Sequence, residues 1–229
     1  MQKDVWEEQR LLLEERRRTI VLSPTALHID YYGPILTPKE LKECEHVLRE
    51  AGLQLSSFNK TGIVYAAFED YSNLARVILH DELTKSIVYG VAGSLVWETI
   101  KEVTKRAWRS LAGAKTKRVS GPDIEDSKVT FGIDYRIDAN TGIAFRLEGS
   151  LSEASLDKIL DETRSLVGKM TPNAEYQRPL FARYDVKTKR WVILDPIEEV
   201  RRAHFAQMKP RKQAKASRKK GKRPGRKAR

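Results

Sequence analysis

Only one cysteine, Cys44, occurs in the 229 residues. A lone cysteine closes no internal disulfide, which excludes a secreted disulfide scaffold. No apolar run approaches the roughly 20 residues that a membrane-spanning helix needs. The longest candidate, Ser86 to Trp97, offers twelve uncharged residues. P-loop, dinucleotide glycine turn, nucleophile elbow and H-E-x-x-H motifs are all missing. The histidines at 28, 46, 80 and 204 are scattered, and none stands at zinc-finger spacing from Cys44. No metal or cofactor is therefore expected. The stretch Met1 to Glu8 lacks an apolar h-region and carries acids, so no secretory or transit signal is expected and the cytoplasm is the default compartment.

The last absence is the most informative. From Lys209 to Arg229 there is no Asp or Glu, no aromatic residue and no aliphatic residue larger than Ala. The same stretch holds twelve cations: Lys209, Arg211, Lys212, Lys215, Arg218, Lys219, Lys220, Lys222, Arg223, Arg226, Lys227 and Arg229. The whole net charge of +12 resides there, because residues 1–208 balance 31 basic against 31 acidic side chains. Such a segment has too little apolar surface to offset its ordering entropy, so disorder is expected over 209–229. Flexible cations neutralise phosphates and release counterions, and without aromatics they cannot stack on bases. Those twelve residues are thus the expected nucleic-acid contacts, and sequence-independent binding is the expected mode. A merely solubilising tail is the plain alternative.

The body, residues 19–208, reads as α+β, preceded by a charged arm or helix at 1–18. Apolar residues make up 40% of the chain, enough for a core at this length. Ala26 to Tyr32 alternates Leu27, Ile29 and Tyr31 with His28 and Asp30, as a half-buried strand does. Thr37-Pro38-Lys39-Glu40 combines an N-cap, Pro at N1 and a capping-box Glu, and Gly52 is placed to end that helix. A hairpin is expected from Leu53–Phe58 and Ile63–Phe68. Asp70 to His80 reads as helix, followed by one long helix from about Glu82 to Leu111. Residues 112–127 read as a loop and as the internal boundary.

Beyond it, Val129 to Ile137 and Ile143 to Leu147 alternate around the turn Asp138 to Gly142, a hairpin pattern. Ser152 caps a helix through Val167. Leu180–Val186 and Arg190–Leu194 form another hairpin, and a last helix starts at Asp195-Pro196 and ends near Met208. The halves 19–111 and 128–208 share the order strand, capped helix, hairpin, helix. This reads as two similar units joined by the long apolar-to-amphipathic helix, although that order also recurs in unrelated chains.

Functional readings follow from these features. The leading one is a non-enzymatic binding or adaptor protein held on nucleic acid by its tail. A protein partner or self-association through the body accompanies it. Ser86–Trp97 is apolar all round, with Gly90, Ala92, Gly93 and Ser94 as small contacts. This suits a core helix, and it also supports the first rival, a membrane-peripheral effector acting through residues 83–111, with Trp97, Trp108 and nearby lysines at an interface. Where Ile87, Val91 and Leu95 point discriminates the two. The second rival is an enzyme without a familiar motif. Its strongest carboxylates are Asp134, Asp138 and Glu148 near the central hairpin, with Asp134 and Arg136 expected to face solvent. His80-Asp81-Glu82 reads as a polar helix junction, and Cys44 as a buried small hydrophobe.

Overall fold

The computed structural model describes residues 23–61, 73–90, 93–112, 116–120, 123–127, 129–149, 151–172 and 179–195, with a few scattered positions. By contact density the chain divides into units Met1–Ile193 and Leu194–Arg229, and the description below concerns the first. The expected arm 1–18 lies mostly outside the described residues. So do the strand 63–68, the last helix and the tail.

Among the described residues the fold is mixed α+β, with one seven-stranded sheet and four helices. Strand β1 (Ala26–Tyr31) leads through a 3₁₀ turn at Gly33–Ile35 to helix α1 (Pro38–Glu50). The Thr37 side chain accepts from Glu40 N and Glu40 reaches back to Thr37 N, so the capping box forms as its sequence specifies. Gly52, at φ +75, supplies the left-handed turn into β2 (Gln54–Asn59).

Strand β3 (Ala75–Leu79) replaces the helix expected at 70–80. Its buried set Ala75, Val77 and Leu79 alternates with Arg76 and Ile78, a period of two that pairing on both sides enforces. The single long helix also divides. Helix α2 (Asp81–Tyr89) stops at Gly90, whose extended backbone sits against the Ser86 carbonyl where a Cβ would collide. Helix α3 (Gly93–Ala112) then begins afresh. The expected loop 112–127 instead contains a two-stranded hairpin, β4 (Thr116–Ser120) and β5 (Asp123–Ser127).

The later elements match the sequence reading. Strands β6 (Thr130–Arg136) and β7 (Gly142–Glu148) pair antiparallel, and helix α4 (Glu153–Val167) follows its Ser152 cap. Strands β8 (Leu180–Asp185) and β9 (Arg190–Leu194) are joined by the turn 186–189.

The sheet order is β2-β1-β3-β6-β7-β8-β9. The four described helices pack on one face. Trp108 of α3 packs edge-on against Phe131, and Tyr135 Oη shares a 2.8 Å hydrogen bond with Thr163 of α4. Ser110 of α3 donates to Glu40 of α1, and Ile87 of α2 lies in the same core.

Strands β1, β2, β7 and β8 run in one direction. From β1 the chain steps through α1 to β2 at one edge, and from β7 through α4 to β8 toward the other. With parallel strands and helices on the same face, steps in opposite directions have opposite hand. The two β–α–β steps therefore run in opposite directions across the sheet, and shared element order alone does not make the halves structural copies.

Candidate functional site

The face of the sheet opposite the described helices holds the densest ionisable cluster among the described residues. Strand β1 is buried at all six positions, so His28 and Asp30, expected on a half-exposed face, are 6% and 5% exposed. Register brings their partners. Ser56 of β2 stands directly across from His28, and Arg76 of β3 directly across from Asp30. His28 Nδ1 lies 2.9 Å from Ser56 Oγ, and its Nε2 lies 2.8 Å from Asp30 Oδ1. Lys60 Nζ, just past the end of β2, is 2.9 Å from Asp30 Oδ2, and Arg76 Nη2 donates to the same oxygen at 2.7 Å. Arg76 Nη1 reaches Asp134 Oδ2 of β6 at 3.2 Å.

Beside Arg76 in the sheet stands Gly132. A Cβ there would come within 2.6 Å of Asn73 Nδ2 and 3.2 Å of Arg76 Cγ, so glycine makes room for the guanidinium stem.

Burial by itself would raise the Asp30 pKa. The His28 hydrogen bond, the charge and hydrogen bond of Lys60 and the Arg76 hydrogen bond outweigh it and hold the carboxyl well below the usual carboxylate range. Asp30 and Asp134 bring two carboxylates to the cations of Lys60 and Arg76. Serine, imidazole and carboxylate stand in the order of a nucleophilic relay. Ser56, however, is 1% exposed, so no substrate reaches its hydroxyl in this conformation. The geometry does one thing clearly. Slipping β3 by one residue would turn Arg76 into the apolar layer and leave Asp30 and Lys60 facing Val77 or Ala75, so the cluster fixes the register of β1, β2, β3 and β6.

A second polar seam joins α3 to α4. Lys101, expected on the solvated side of α3, is 3% exposed. It contacts Glu98 at 2.9 Å, Asp161 at 3.1 Å and Asp157 at 3.5 Å. Desolvation opposes its charge, but hydrogen bonds to Glu98 and Asp161 win and raise its pKa. Trp97 Nε1 donates to Asp161 at 2.7 Å, and Lys105 pairs with Asp157 at 3.1 Å. The expected Glu102–Arg106 pair forms at 2.9 Å. A shallow, open groove of about 470 Å³ adjoins this seam, lined by Val88, Asp161, Arg164, Ser165, Gly168 and Lys169.

The carboxylates near the central hairpin do not converge. Asp134 is drawn to Arg76, contrary to the solvent-facing expectation, whereas Arg136 is exposed. Asp138 Oδ1 accepts from the backbone N–H groups of Asn140 and Thr141 and shapes the turn. Glu148 pairs with Arg146 at 3.1 Å. No group of three or more potential metal ligands assembles among the described residues. Cys44 is buried on α1, and burial pushes its thiol up to about 11. His80 precedes α2 at a strand-to-helix junction, and burial, Arg136 and His28 lower its pKa.

The apolar stretch gives a divided answer. Ile87 is fully buried, Leu95 is 69% exposed, and Val91 lies outside the described residues. The surroundings of Gly93 lie outside them too. No described helix is long and apolar enough to cross a membrane. The twelve tail cations, the nucleic-acid contacts expected from the sequence, all lie outside the described residues. Sequence reasoning missed Ser56, Lys60 and Arg76 as partners. The one available signal was a His and an Asp two residues apart inside an apolar strand.

No family model, no curated protein and no solved structure matches this chain.

Proposed function

We propose that this protein is a non-enzymatic binding or adaptor protein whose tail, Lys209 to Arg229, binds nucleic acid without sequence preference. The observation that carries the proposal is charge segregation: twelve cations and no acid in the tail, against 31 of each sign in the rest of the chain. The body supports it by its use of charge. Arg76, Lys101, Lys105, Arg106 and Arg109 all pair with carboxylates of the body. Phosphate neutralisation then falls to the tail, and it gives affinity without base readout.

The test compares the intact chain with a chain ending at Met208 on labelled duplex DNA, single-stranded DNA and RNA. The intact chain is expected to bind all three with similar affinity, and the shortened chain to lose most of that affinity. Equal binding by both chains would remove the tail from the mechanism.

A second reading, a membrane-peripheral protein, draws on Tyr89 and Leu95, which are 61% and 69% exposed on either side of Gly90. Co-sedimentation with anionic vesicles separates the two readings. Binding that survives Tyr89→Ser and Leu95→Ser but not loss of the tail is electrostatic only, and argues against apolar insertion.

A further inference from the structure

We draw no further inference here: the strongest candidate, the exposed apolar patch of Leu180, Val186, Val192 and Ile193 on the β8–β9 hairpin at the edge of the sheet, carries nothing because nothing in the structure shows what covers it.

Discussion

Replacing Asp30 with Ala removes the acceptor on which three donors converge. His28 Nε2, Lys60 Nζ and Arg76 Nη2 lie 2.8, 2.9 and 2.7 Å from its oxygens. Lys60 is 5% exposed, so its ammonium would stay buried and lose the Asp30 carboxylate. Breaking a buried ion pair from one side typically costs about 3–5 kcal/mol, mostly because the remaining charge is left desolvated. Against a usual stability of about 5–15 kcal/mol this is a large fraction. For a chain of this size each kcal/mol corresponds to about 2–4 °C, so the melting temperature should fall by about 6–20 °C. Urea unfolding followed by far-UV circular dichroism gives the free energy directly, with an unchanged m-value if the native surface is preserved. A loss below about 1 kcal/mol would refute the reasoning, because only a hydrated cluster tolerates the change so cheaply.

Other outcomes follow from the same structure. Asp30 has a depressed pKa when folded, so its stabilising contribution is complete above its unfolded value of about 3.8 and is lost as pH falls below that; the acid limb of a stability–pH curve should be shallower in Asp30→Asn than in wild type. Gly132→Val should cost about 1–3 kcal/mol in the same urea assay, since its Cβ meets Asn73 and Arg76. Thr37→Ala should cost about 0.5–2 kcal/mol by removing the cap of α1. Cys44, buried with its thiol pushed up to about 11, should resist a thiol reagent at pH 8 in the native protein and react once unfolded.

The elements that were legible in the sequence are those whose signals are local. The capping box at Thr37, the Ser152 cap and the alternation of Phe131, Ile133 and Tyr135 specify α1, α4 and β6 within a few residues. Strand β3 was misread because Leu74 to His80 has too few residues to separate period two from a helical turn. Its identity depends on β1 and β6, which flank it from remote parts of the chain. The break at Gly90 was obscured by the apolar run on both sides of it. The buried cluster was hidden for the same reason as β3. Ser56 lies 28 residues from His28 and Arg76 lies 46 from Asp30, and only the register places them opposite each other. The reading of the tail rests on composition alone, since it needs charge and no partner strand, and its residues lie outside the described ones.

The most direct test of the central claim is the salt dependence of binding by the intact chain on one labelled duplex. Each phosphate neutralised on duplex DNA contributes about −0.9 to the slope of log K against log salt. If about half of the tail's twelve cations engage at once, the slope is about −5. That slope, repeated on duplexes of unrelated sequence and lost in the chain ending at Met208, is the predicted result. A slope near zero, or one that changes with sequence and survives removal of the tail, would place recognition on the folded body and contradict the account.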